Sequence, residues 1–414
     1  MRGPIIAANT QRSPQWLVLG FVLGSLYATA IVLSLAGKAH GDEVAHYAQV
    51  QQFLHGQLDR ADTHLSTIPG YHAVMAALLW LTGLDSLWAA RAINSAFGLL
   101  AIGGFYCLRR GLWPGTENLA TAQFVVLPIV VPFFFLVYTD VFALALVLWA
   151  GVAAFGGRYW TSSAIMLLDM LVRQNDIVWV GLLALLCALP ILRQAGLEAW
   201  RDIARRAFPF VFPVGVFFAY WIGHGSLTWS RAEAPLHPEM SLRVGSPAFA
   251  LLIAGALLPA QTIAGCRRFI AYMRGHAWAI AMPVLLFAVY WWGFHADNPY
   301  NMGLLDFLPR NYLLQKIDGD LVWRAVAGGV MVLAACGLAF TRLRPADAVW
   351  LYAFAAFFLA SSWLIEQRYM LAPFVFWLAF REHVSRRAEF ATLALWLLIA
   401  VSLFVGVVGN HFFV

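Results

Sequence analysis

Leu119 to Phe155 reads LATAQFVVLPIVVPFFFLVYTDVFALALVLWAGVAAF, and Asp140 is its only formally charged residue. A bilayer core accepts a helix of about 20 apolar residues, and only segments that satisfy their own backbone can cross it. The stretch therefore reads as two membrane segments, 119–137 and 141–155, folded back at the tight turn Tyr138-Thr139-Asp140. Similar runs extend outward in both directions, at 16–36, 92–108, 161–172, 177–192, 207–223, 246–263, 278–294, 321–340, 348–365, 369–380 and 390–408. The first is too long for a signal-peptide core and reads as a retained anchor. The whole chain is 62% hydrophobic and 12% charged, with a mean hydropathy of +0.73. A soluble domain carries about 25% charged residues. The expected fold is an all-α, polytopic transmembrane helical bundle of about 11–13 membrane helices, forming one integral membrane domain over residues 1–414.

The net charge of +6 invites a nucleic-acid reading, but the placement of the charges argues against it. With the N-terminus in the cytoplasm and sides alternating, most of the 27 basic residues fall inside, including Arg109, Arg110, Arg205, Arg206, Arg267 and Arg268. That is the positive-inside pattern, so the basic excess is topological and no nucleic-acid partner is expected. Most of the acids and histidines fall outside instead. Topology does not require them there; chemistry would. The four cysteines lie in helices or at their cytoplasmic ends, which leaves the redox compartment open.

The outer loops are unequal. The first, 37–91, holds a helix over 40–54 that Gly56 ends, a Pro69-Gly70 turn, and an apolar stretch from Tyr71 to Leu84. That stretch is too short to span and suits an interfacial helix. Two further outer loops run from His224 to Gly245 and from His295 to Asp320, and Glu366-Gln367-Arg368-Tyr369 makes a short turn.

Three groups of residues could carry chemistry. In Gly41-Asp42-Glu43-Val44-Ala45-His46, a carboxylate one helical turn before a histidine suits a general base. Metal ligation by His40, Asp42, Glu43 and His46 matches no standard spacing, and a solvated helix start is the plain alternative. Arg173-Gln174-Asn175-Asp176 offers a guanidinium fork for phosphate, or an arginine that merely snorkels to the interface. Arg368 offers a second fork, or a local pair with Glu366. The polar, aromatic loops 226–239 and 295–311 suit carbohydrate, and equally suit an interfacial aromatic belt.

In their shared order these pieces resemble the eukaryotic dolichyl-phosphate-glucose-dependent α-1,2-glucosyltransferases, which add the terminal glucose of the N-glycan precursor. The matching stretches are Asp42-Glu43-Val44-Ala45-His46 with Gln49 and Gln51, Thr67-Ile68-Pro69-Gly70-Tyr71, Tyr138-Thr139-Asp140, Val172-Arg173-Gln174-Asn175-Asp176, Glu233-Ala234-Pro235-Leu236-His237-Pro238, and Glu366 with Arg368-Tyr369. Asp140 stands where glutamate is expected, and Asp176 where an acid is unusual. Lys38 and Lys316 are the only lysines, a composition that fits a bacterial relative.

The resemblance implies a GT-C glycosyltransferase that moves a hexose, expected to be glucose, from a polyprenyl-phosphate donor to a lipid-linked glycan or other acceptor hydroxyl, with inversion. The active site would face outward, which in a bacterial inner membrane is the periplasm. Asp42 is the expected base, with Glu43 next. Arg173, Arg368 and, more weakly, Lys316 would hold the donor phosphate. His46, Tyr138, Asp140, Gln174, Asn175, His237, Glu366 and Tyr369 would contact substrate. No cofactor and no metal is expected. The competing class is a lipid or sugar-lipid transporter, which would account for an intramembrane acid such as Asp169.

Overall fold

A computed structural model describes residues 14–35, 37–58, 65–192, 197–237 and 241–413. Residues 59–64 of the first expected loop and 238–240 of the loop after His224 lie outside the described residues. Among the described residues the architecture is all-helical, with a single β-bridge between Leu343 and Arg381.

The first described element is α1 (Pro14–Leu35), followed by two short helices of the first loop, α2 (Glu43–Leu54) and α3 (Gly70–Thr82). Next come α4 (Leu87–Leu112), α5 (Glu117–Val125), α6 (Thr139–Phe155), α7 (Tyr159–Val172), α8 (Ile177–Leu192) and α9 (Leu197–His224). After them follow α10 (Gly245–Leu257), α11 (Pro259–Met273), α12 (Ala281–Gly293), α13 (Pro299–Met302), α14 (Pro309–Gly319) and α15 (Leu321–Ala339). The last three are α16 (Trp350–Ala360), α17 (Leu371–Phe380) and α18 (Arg386–Val408). Every expected apolar segment contains helix, but not every one is long enough to cross. Among the described residues, five helices have the length and composition of a span, and a sixth counts if α10 and α11 are one broken span. At about 1.5 Å per residue, the 14 residues of α7 reach about 21 Å, short of a core about 30 Å thick. Short helices survive because they lie inside the bundle: all of α17 except Ala372 is buried.

Two breaks depart from the expected segments, and proline explains both. The segment expected over 119–137 stops as α-helix at Val125, ahead of Pro128 and Pro132. Residues 126–138 are nevertheless buried, with only a short 3-10 turn over Val131–Phe134, and backbone outside α-helix at that depth needs partners. Asn94 Nδ2 donates to the Phe133 carbonyl at 2.9 Å, and the Val137 N–H donates to Glu43 Oε1 at 2.9 Å. The segment expected over 246–263 turns by 104° between α10 and α11, where Pro259 opens the second helix.

Helix crossings use small residues, as expected where lipid supplies no hydrophobic drive. A Cβ on Gly265 in α11 would collide with the Gly337 carbonyl in α15. The perimeter exposes Phe21, Ile222, Trp292 and Leu398, as a lipid-facing surface should.

The two ends of the bundle differ. At the end expected to be cytoplasmic, Arg109 and Arg381 are buried rather than in open loops. Arg381 donates to Glu389 Oε1 at 2.8 Å and Oε2 at 2.6 Å, and also to Gln123 and Gln261. Arg109 Nη1 donates to the Ala379 and Arg381 carbonyls, closing the C-terminus of α17. At the other end, the loops expected outside meet one another.

Candidate functional site

The first loop decides what Asp42 and Glu43 can do. Gly41 has φ +53°, and a Cβ there would lie 2.9 Å from Tyr138 Oη and 3.2 Å from the Phe413 ring. Only glycine fits so tight a left-handed turn. The turn sends the two neighbouring carboxylates in different directions. Glu43 is fully buried. It receives Arg91 Nε at 2.8 Å and Nη2 at 2.5 Å, together with the backbone N–H groups of His40 and Val137. Arg91 in turn donates to the Ser34, Gly37 and Lys38 carbonyls, so the pair stitches the end of α1 to α2 and α4. Asp42 keeps 56% of its side chain exposed and makes no capping bond to α2. Its Oδ2 lies 2.7 Å from Arg368 Nη2.

Arg368 sits in the turn before α17 and binds Glu366 Oε2 through Nε and Nη2, both at 2.7 Å. Its guanidinium lies 5.7 Å from the centre of the Tyr138 ring. Burial opposes its charge, but Glu366, Asp42 and Asp140 more than offset this, so its pKa is raised well above the usual arginine range. Glu366 also accepts from Arg310 Nη1 at 3.1 Å, and Gln367 accepts from the same nitrogen at 2.8 Å. Arg173, in extended backbone just after α7, pairs with Asp140 and lies 5.9 Å from the Tyr369 ring centre. Asp169 is buried nearby, in the fields of Asp176 and Arg173.

Between these groups is a narrow cleft. Asp140, Arg173, Asp176, Arg368 and Tyr369 line one part, and Ala143, Leu144, Phe358, Leu371 and Ala372 the rest. Two arginines, each paired with carboxylates, thus share the cleft lining with two aspartates and with apolar side chains.

The other expected residues divide. His46 is buried, with Nδ1 2.9 Å from His72 Nε2 and its ring against Tyr138 and Tyr71. Burial, followed by the charges of Arg368 and Arg173, lowers its pKa to about 3, so it is neutral at ordinary pH. The four-ligand metal reading does not fit this geometry, because Arg91 engages both Glu43 oxygens and His72 engages His46. Gln174 serves the backbone: it accepts from Ile68 N–H and donates to the Ser66 and Leu227 carbonyls. Asn175 is exposed. Lys316 is also exposed, with its ammonium 5.6 Å from the Tyr312 ring centre, and takes no part in the ion pairs around Arg368. Arg310, which sequence reasoning passed over, takes part in them instead. His237 Nε2 lies 3.7 Å from Glu233 Oε2, which also accepts from Tyr300 Oη at 3.3 Å.

Fold and site together define a polytopic α-helical membrane protein with an acid- and arginine-rich cleft at one end of its bundle. Residues 38–208 match the model of the DIE2/ALG10 family. A relative from Yarrowia lipolytica, the Dol-P-Glc:Glc(2)Man(9)GlcNAc(2)-PP-Dol alpha-1,2-glucosyltransferase, is 28% identical over 159 residues. The match covers 35% of this chain and spans about 30% of the relative's length. Among solved structures, ArnT from Cupriavidus metallidurans in the apo state aligns with 94% of this chain and 77% of its own, at 14% identity and a TM-score of 0.43. The family match contains Asp42, Tyr138, Asp140 and Arg173, whereas Arg310, Glu366 and Arg368, which complete the cluster, lie beyond it.

Proposed function

We propose that this chain is a glycosyltransferase of the DIE2/ALG10 type, moving a hexose from a polyprenyl-phosphate carrier to an acceptor hydroxyl on the non-cytoplasmic face. The observation that carries the reading is the pairing of Asp42 with Arg368 beside a cleft lined by two arginines, two aspartates and apolar side chains. Guanidinium groups match phosphate oxygens, and the apolar part of the lining suits an isoprenoid chain. The Asp42 carboxylate would take the acceptor's hydroxyl proton as the oxygen attacks the anomeric carbon. The bond from that carbon to the phosphate oxygen breaks, and its electron pair leaves with the prenyl phosphate, whose charge faces Arg173 and Arg368. A single displacement of this kind inverts the anomeric centre. Tyr138, which carries Arg368, and Asp140, which holds Arg173, are positioning residues in this scheme. Glu43 is a structural post and not a second base, since both its oxygens are engaged in the buried pair with Arg91.

Glucose is the proposed sugar and a lipid-linked glycan the proposed acceptor, by likeness to the named relative. If the host is bacterial, the site belongs on the periplasmic side of the inner membrane. A transporter would place its polar site near the bilayer midplane. Here the ion pairs gather at one end of the bundle, among the loops, which favours chemistry at an interface. The test is to incubate purified protein with polyprenyl-phosphate glucose and a lipid-linked oligosaccharide. One added hexose in the product, lost in Asp42→Asn, supports the proposal. Movement of intact donor across a vesicle membrane without transfer would replace it with the transporter reading.

A further inference from the structure

The loops beside Asp42 carry a second set of side chains that the cleft does not use. Tyr300 Oη donates to Glu233 Oε2, His237 stands next to the same carboxylate, and none of the three lines the cleft. Their placement is fixed by backbone clamps. Asn298 donates to the Leu236 carbonyl at 3.3 Å and accepts from Tyr300 N–H at 2.9 Å. Asn301 exchanges two 2.9 Å bonds with the backbone of Ile365, one residue before Glu366. The loops after α9 and α12 are thereby joined to the turn that carries Arg368. His237 lies in the fields of Glu366, Arg368 and Asp42, and Tyr300 in that of Asp42.

Its chemistry differs from that of the cleft. Tyr300 is 44% exposed and offers a rigid aromatic face. Glu233 offers acceptor oxygens to hydroxyl groups and repels phosphate. Burial lowers the pKa of His237 against the pull of Glu233, which favours the neutral ring with its one donor and one acceptor. Resting on the transferase reading, we propose that Tyr300, Glu233 and His237 form the subsite for the acceptor's terminal neutral sugar, presenting its hydroxyl to Asp42. The sugar's C–H face would pack on Tyr300 while neighbouring hydroxyls donate to Glu233. The acceptor's own phosphates would lie away from this carboxylate.

Steady-state kinetics of the full chain in nanodiscs separates the two substrates. The donor probe is a short-chain polyprenyl-phosphate glucose, and the acceptor probe is a lipid-diphosphate oligosaccharide ending in glucose. Tyr300→Ala and Glu233→Gln should each raise the acceptor KM by about tenfold, the equivalent of about 1.4 kcal/mol, with the donor KM held within about twofold. Tyr300→Phe, which keeps the ring and loses only the bond to Glu233, should give a smaller rise. The donor KM also serves as the check that the variants fold. An unchanged acceptor KM in both variants, or a donor KM that rises equally, would overturn the subsite. If the wild type transfers nothing from this donor, the transferase reading itself fails, before any variant is compared.

Discussion

Asp42 and Glu43 are adjacent in sequence, and neutralising each should do opposite things. Asp42→Asn changes an exposed side chain that caps nothing, and Arg368 keeps Glu366 as a counter-ion. Folding and donor KM should barely move. The rate should fall by about 10²–10⁴, or roughly 3–5 kcal/mol of barrier, because a carboxamide cannot accept the acceptor's proton. Glu43→Gln instead leaves Arg91, itself buried, without its charge partner. Removing one member of a buried pair costs about 3–5 kcal/mol of stability. The assay combines thermal unfolding of detergent-purified protein with transfer kinetics on whatever folded protein remains. Asp42→Asn should keep the wild-type midpoint and lose turnover; Glu43→Gln should lose midpoint and yield, with far higher turnover per folded molecule. A stable, inactive Glu43→Gln beside an active Asp42→Asn would refute the division and exchange the roles.

Arg173→Ala and Arg368→Ala should raise the donor KM, with lysine restoring only part of it, since a point charge cannot reproduce the fork; normal donor kinetics in both would remove them from the phosphate site. His46 has a folded-state pKa of about 3 against about 6.5 unfolded, so the unfolded chain takes up the proton first as pH falls. Stability should therefore drop from about pH 6.5 towards pH 3, by about 2 kcal/mol at pH 5 from this group, and His46→Gln should flatten the pH dependence of the unfolding midpoint. At the opposite end, Glu389→Gln should destabilise by about 3–5 kcal/mol through the orphaned Arg381 without changing either substrate KM, read by the same two assays. Introduced cysteines at Ser230 should label from outside, and at Ala204 and Ala346 only from within; outside labelling at Ala204 would invert the orientation.

Much of the fold was legible because burial in a membrane is written in composition. The apolar segments, the short apolar α3 and the helix stop at Gly56 follow from local hydrophobicity and backbone preference, which the sequence carries residue by residue. The Pro128–Pro132 interruption was visible as prolines, but its survival as buried chain outside α-helix was not. It depends on Asn94 and Glu43, which arrive from other segments. Gln174, expected from the resemblance to contact substrate, also ties the backbones of two loops at Ser66 and Leu227, which only their meeting makes possible.

For the cluster itself, sequence supplied the residue types; the structure brings Asp42 and Glu366 onto Arg368 and sets Arg173 and Arg368 along one cleft. Sequence could not choose between Asp42 and Glu43, because both are carboxylates at the start of one helix. The choice belongs to Arg91, 48 residues further on, which reaches Glu43 and leaves Asp42 to Arg368. Nor could it prefer Arg310 to Lys316, six positions apart on one short helix, since helical rotation turns one towards Glu366 and the other towards Tyr312. Hydrophobicity acts through solvent and is fixed by each residue alone, whereas an ion pair exists only where packing brings two distant side chains within a few ångströms.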